Sequence, residues 1–172
     1  MGAWIDMKTG TARNADLLVA ARNGDLTATY ELAMRLRLGI EGDAWPEAAV
    51  ELLRAAAHNG HGEAQFELGL MYSAGEGVAA DTASAVAWIQ RAAQAGVPRA
   101  LYWLASLYFH GTGVDRDLAR AYRLCLSARL AGFADPGGLL AGAAQFLGEK
   151  RCLEIAAELG TTPPPVWLAD AA

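Results

Sequence analysis

The sequence predicts an all-α fold in which antiparallel helix pairs repeat along the chain, and three observations predict it. A fixed step of 36 residues links Gly60, Gly96 and Gly132, and the same step links Ala28, Ala64 and Ala100, then Ala49, Ala85 and Ala121, then Ala56, Ala92 and Ala128. Inside each period, apolar residues recur at helical spacing in two successive runs. Glycine, proline and aspartate punctuate those runs where helices would stop and start.

Residues 1 to 12 lack periodicity, and Trp4 and Ile5 are candidates to fold back as a cap over an exposed end. A short helix is predicted over residues 14–23, with Leu17, Leu18 and Ala21 on one face and Gly24 as its left-handed stop. This capping half-repeat occupies residues 14–24. Asp25 then caps a helix over residues 26–38, and after the loop GIEGDA a second helix begins at Trp45 and Pro46. Proline suits a first turn, where its missing N–H would have had no intrahelical partner. That helix carries Ala49, Leu52, Leu53 and Ala56 on one stripe and stops at Asn59 and Gly60.

The repeats are therefore placed at residues 25–60, 61–96 and 97–132. In the second and third, the two helices are joined by GEGVAAD and GTGVDRD, which keep Gly, Gly, Val and Asp in register. Gly75 and Gly77 can take the positive φ that a tight connection demands, Asp81 can cap the following helix, and Val78 tucks under the loop. Small residues at 64, 69, 85 and 92 let helices approach while Leu68, Tyr72, Trp88 and Ile89 fill the space between them. After Gly132 the pattern degrades: a helix starting in the ADPGG stretch runs to about Leu147, Gly148 breaks it, and EKRCLEIAAELG follows. Residues 133–160 read as degenerate capping helices, because a terminal repeat has no neighbour to cover its outer face. Residues 161–172 form a proline-rich tail expected to be extended, with Trp167 and Leu168 as anchors. All 172 residues are expected to form one repeat domain.

Composition is consistent with a folded core, since 53% of residues are hydrophobic and 19% charged. A net charge of −5 argues against nucleic acid or an anionic membrane as partner and would suit a basic one. No apolar run reaches the ~20 residues that span a bilayer, so no membrane insertion is expected. The opening residues lack a basic n-region followed by an apolar stretch, so a cytoplasmic location is expected of the chain as written, and a periplasmic or secreted one if a leader has been removed. Cys125 and Cys152 read as reduced core cysteines.

The run from Ala64 to Trp88, A-x-x-x-L-G-x-x-Y-x-x-G-x-G-V-x-x-D-x-x-x-A-x-x-W, resembles the Sel1-like repeat, a relative of the tetratricopeptide repeat. The third repeat keeps Ala100, Leu104, Tyr108, Gly111, Gly113, Val114, Asp117 and Ala121, with Ala105 for the glycine and Leu124 for the tryptophan. The first keeps Ala28, Leu32, Gly39 and Ala49, with Leu36 for the tyrosine. The resemblance implies a right-handed α-solenoid with a concave groove, serving as a non-catalytic scaffold or adaptor for a protein or peptide partner. It leaves two alternatives: an enzyme or binding module acting on cell-wall fragments, whose cysteine pattern this chain lacks, and an immunity protein neutralising a toxin.

In such a fold the first helix of each pair lines the groove. The candidate partner-binding residues are then Tyr30, Met34 and Arg37 with Thr27; Glu63, Phe66 and Leu70 with Ser73; and Arg99, Tyr102, Ser106, Phe109 and His110. Tyr30, Phe66 and Tyr102 are again 36 residues apart, an aromatic ladder that either grips a partner or packs between first helices. With the ladder as the binding surface, alanine at Phe66 and Tyr102 is expected to weaken partner capture and leave the melting temperature nearly unchanged.

No metal or cofactor is expected. His58, His61 and Glu63 straddle a turn and offer no fixed i, i+4 ligand face. The glycine loops lack the following Lys and Ser/Thr of a phosphate-binding loop. Asp115 and Asp117 with Arg116 could form an acid pair beside an electrophile, but Asp117 is needed as a cap. No catalytic residues are assigned.

Overall fold

The computed structural model describes residues 12–40 and 42–162, and the readings of Trp4, Ile5, Trp167, Leu168 and the extended tail lie outside them. Among the described residues the chain is all-α, with α1 (Ala12–Arg22), α2 (Leu26–Leu38), α3 (Pro46–His58), α4 (Gly62–Ala74), α5 (Thr82–Gln94), α6 (Pro98–His110), α7 (Leu118–Leu130), α8 (Leu139–Leu147) and α9 (Glu149–Glu158). The helices of the three repeats, α2 to α7, start at 26 and 46, 62 and 82, then 98 and 118, so the period of 36 holds in the structure. The chain forms two compact units, one ending at Arg91 and one beginning at Ala92, so the boundary falls within α5.

In the first unit, α1 packs on α2, α2 on α3 and α3 on α4. Their core holds Leu32, Ala33, Leu53, Ala56, Ala64, Leu68 and Met71, closed at the loop side by Val78. The small-against-large code is visible at Gly69: a Cβ there would lie 2.8 Å from Ile89 Cγ1 and 3.2 Å from the Ala85 carbonyl oxygen, so α4 and α5 touch because Gly69 has no side chain. Asp25 accepts from the Thr27 and Ala28 N–H groups at 2.9 and 3.0 Å, and Asp81 from those of Ala83 and Ser84 at 3.0 and 3.3 Å. Each donor would otherwise be unmatched at a helix start. One cap was not legible from residue type: His61 Nδ1 accepts the Ala64 N–H at 3.1 Å and so starts α4.

In the second unit, α6 packs on α7, and α8 and α9 fold onto α7. Tyr122, Cys125, Leu126, Leu140, Cys152 and Ile155 form its core. Both thiols are free and buried, and burial pushes the Cys125 thiol up to about 12, so it stays a packed, unreactive side chain. The Tyr122 hydroxyl is sealed in the same core beside the Cys152 thiol, and burial raises its pKa above the ordinary value. The end of the chain differs from the sequence reading: α8 starts at Leu139 and not in the ADPGG stretch, which is a turn. Asp135 explains the shift, because its two carboxylate oxygens accept from the Leu139 and Leu140 N–H groups at 2.9 and 2.8 Å and cap the helix from four residues upstream.

Candidate functional site

The candidate residues divide between the two units. Tyr30, Met34, Arg37, Glu63, Phe66 and Leu70 lie on α2 and α4 in the first unit, and Arg99, Tyr102, Ser106, Phe109 and His110 on α6 in the second.

The aromatic column does not form one kind of environment. Phe66 is only 1% exposed, so it is a core residue and its ring offers nothing to a partner. That corrects the expectation that alanine at this position would spare the fold. Tyr30 is half-buried and stacks on His61 with ring centroids 5.0 Å apart. Tyr102 is half-buried too, tilted against Phe133 at 5.3 Å, and its hydroxyl accepts the Gly137 N–H at 3.1 Å. The column thus packs within each unit, more than it projects.

Arg37 is committed to its own chain as well. Its Nε and one terminal nitrogen donate to the two oxygens of Glu76 at 2.9 and 2.8 Å, while the other terminal nitrogen donates to Glu67 at 2.7 Å. Hydrogen bonding to Glu76 raises the Arg37 pKa further above its ordinary value, with Glu67 adding to it. The side chains of Arg37 and Glu67 are 18% and 5% exposed, so this ion pair ties α2 to α4 in a largely dry setting. Replacing Arg37 with Ala is expected to lower the unfolding free energy by about 3 kcal/mol, the lower end for a broken buried pair because Glu67 keeps another interaction. Urea denaturation checks this, and an Arg37→Met/Glu67→Met double variant should lose far less.

One column remains accessible in every repeat. Met34, Leu70 and Ser106, again 36 residues apart, are each half-exposed, one helical turn beyond the aromatic column. Leu70 sits among buried residues of α4, whereas Phe109 and His110 extend the accessible face of α6, with their rings edge-to-face at 5.0 Å. Glu63 and Arg99 are half-buried near the starts of α4 and α6, and both interact with the rest of the protein.

The histidines and acids weighed from sequence have other partners. His61 caps α4, and His58 meets Trp88 edge-on at 5.1 Å, so the two imidazoles serve different neighbours. Among the described residues no group of three or more His, Cys, Asp or Glu side chains is placed to hold a metal ion. Asp117 accepts the Arg120 N–H at 2.9 Å as the cap of α7. No helix among the described residues is long and apolar enough to cross a membrane.

Comparison with known proteins agrees with this repeat geometry. The Sel1 repeat family matches residues 26–61, 62–97 and 98–133. Among solved structures, a Sel1 repeat protein from Oxalobacter formigenes superposes with a TM-score of 0.65 at 35% identity, over 77% of this chain and 95% of that one. A protective antigen present in uropathogenic Escherichia coli strains, which displays an SLR fold, gives a TM-score of 0.73 at 31% identity. That match covers 87% of this chain but only 33% of the antigen, so the chain spans a third of that protein's length. No curated protein matches the chain.

Proposed function

This chain belongs to the Sel1 repeat family, and on that premise we propose that it is a non-catalytic interaction module whose partner is a protein or peptide segment held by the first helices of its repeats. Sel1 repeat proteins generally mediate protein–protein interaction, which supports the class of function.

The observation that carries the reading is that one column of those helices keeps partial exposure in every repeat. Of the aromatic column Phe66 is buried while Tyr30 and Tyr102 are half-buried against His61 and Phe133, and Met34, Leu70 and Ser106 are half-buried in all three repeats. In the first unit the accessible column is two flexible apolar side chains, suited to cover an apolar surface on a partner. In the second it is a small hydroxyl flanked by Phe109 and His110, suited to a more polar contact.

Affinity capture from the source cell tests this. A Met34→Glu/Leu70→Glu variant is expected to lose at least about tenfold of the recovered partner, the cost of facing two charges onto an apolar contact. Ala87→Glu, at an exposed position of α5, should recover it fully. Equal recovery by both variants would reject the first-helix surface.

A further inference from the structure

Repeat one departs from repeat two at a place where the departure opens space. In repeat two the Trp88 side chain on α5 is 9% exposed, with His58 edge-on to its ring at 5.1 Å and the Arg91 guanidinium 4.5 Å over its face. One period earlier, the positions of Trp88, His58 and Arg91 are held by Leu52, Arg22 and Ala55. The indole is exchanged for a shorter side chain, and the arginine that covers it for a methyl group.

The structure leaves that space open. Leu52, Arg22 and Ala55 line a cleft of about 180 Å³ in the first unit, built from α1, α2 and α3. Leu18 and Leu26 add to its apolar lining. An apolar cavity of about 150 Å³ takes up benzene, so this cleft is large enough for an aromatic ring. Asn59, also in the lining, donates its side-chain amide to the Ala55 carbonyl at 2.8 Å and keeps its own carbonyl oxygen as an acceptor. Folded proteins hold few voids larger than a water molecule, and repeat two fills the matching one with its own side chain.

We propose that this cleft takes up the indole of a tryptophan in a partner segment, seated as Trp88 is seated in repeat two. The proposal deepens the interaction-module reading and rests on it. Two observations select an indole. The matching positions of repeat two enclose one, so the surrounding helices already pack around a ring of that size. Asn59 then offers the acceptor that an indole N–H needs on leaving water, which a phenylalanine ring or an aliphatic side chain could not use. The cleft's position selects a protein as its source. Leu26 and Thr29 of α2 form part of the lining, and α2 is a first helix, the element that holds the partner in the interaction-module reading.

NMR titration of the full chain with N-acetyl-tryptophanamide tests this. The methyl signals of Leu18, Leu26 and Leu52 are expected to shift saturably, and N-acetyl-leucinamide to bind at least about tenfold more weakly. Leu52→Trp rebuilds the repeat-two arrangement from within. It is expected to abolish the shifts at Leu18 and Leu26 and to cut recovered partner at least about tenfold, with a melting temperature no lower than that of wild type. Ala21→Leu narrows the cleft from α1 and should weaken the titration too, which keeps the test decisive if Leu52→Trp does not fold. Absence of saturable shifts in wild type, equal binding of the two amides, or wild-type binding in Ala21→Leu would overturn the proposal. So would shifts that appear only in Trp4→Ala or Trp167→Ala, which would make the chain's own tryptophan the occupant. Tighter binding of free indole than of the amide would point to a small molecule, and a concentration-dependent dimer dissolved by Leu52→Trp to a second copy; either overturns it as well. Full partner recovery by Leu52→Trp, with recovery lost in Met34→Glu/Leu70→Glu, rejects this site and leaves the interaction-module reading standing; absence of any protein partner rejects both.

Discussion

Phe66→Ala is expected to lower the unfolding free energy by about 3–5 kcal/mol, the range for truncating a fully buried phenylalanine, and so to cost more than any surface substitution in the molecule. The ring is 1% exposed on a helix whose Ala64, Leu68 and Met71 are also buried, so α4 is enclosed on more than one face and has little room to collapse into the space left behind. Denaturant unfolding measures it, and the Phe66→Leu variant provides the scale, since it keeps most of the volume and should lose less than half as much. A variant at this position that loses a partner says nothing about a binding surface, because the fold is weakened first.

Gly77→Ala should be the second severe substitution, at about 3–4 kcal/mol, and for a reason that repetition alone conceals. Gly77 has φ +67, which carries a penalty of about 1–2 kcal/mol for a residue with a Cβ. The larger part is steric: a Cβ there would lie 2.4 Å from the Pro46 carbonyl carbon, 2.5 Å from its oxygen and 2.8 Å from the Glu47 nitrogen. These are backbone atoms at the start of α3, so the loop of repeat two would have to withdraw from the preceding repeat. Gly132→Ala is the control, because Gly132 has φ +85 with nothing within 4 Å of the would-be Cβ, and only the conformational penalty should appear. Thermal melts of the two variants side by side separate strain from contact.

These two positions also show how far the sequence could be read. Helix boundaries followed from local chemistry, since proline at 46, aspartate at 25, 81 and 117 and glycine at 24, 75 and 111 act on their immediate neighbours. The role of Gly77 as a turn was legible for the same reason, but its contact with Pro46 was not, because two helices, α3 and α4, separate them in sequence. Phe66 was ambiguous in sequence: period identifies it with Tyr30 and Tyr102, but not which side of α4 is covered. Three residues in one column then meet three different environments, a core, an imidazole and a glycine turn.

The candidate surface was harder still. Arg37 looked like a free basic residue in the groove column and instead spends all three guanidinium nitrogens on Glu67 and Glu76. No spacing rule connects those positions. His61 as a cap escaped notice because imidazole is an uncommon acceptor there. Phe146 falls outside the period altogether, so nothing in the repeat pattern could bring it beside Arg116. In physical terms, what the sequence conveys is the part of the fold set by local propensity and by repetition. Contacts that depend on one helix meeting another appear only in three dimensions.

In the interaction-module reading, partner contacts fall on the partly exposed Met34, Leu70 and Ser106 column of the first helices and not on the aromatic column one turn before it. Site-specific photo-cross-linking in the source cell tests it most directly, with a benzoylphenylalanine placed in turn at Met34, Leu70, Ser106 and the control position Ala87. The expected result is covalent capture of the same protein from Met34 and Leu70, capture of a protein from Ser106, and none from Ala87. Cross-links from Ala87 alone, or none to protein from any first-helix position, would contradict it.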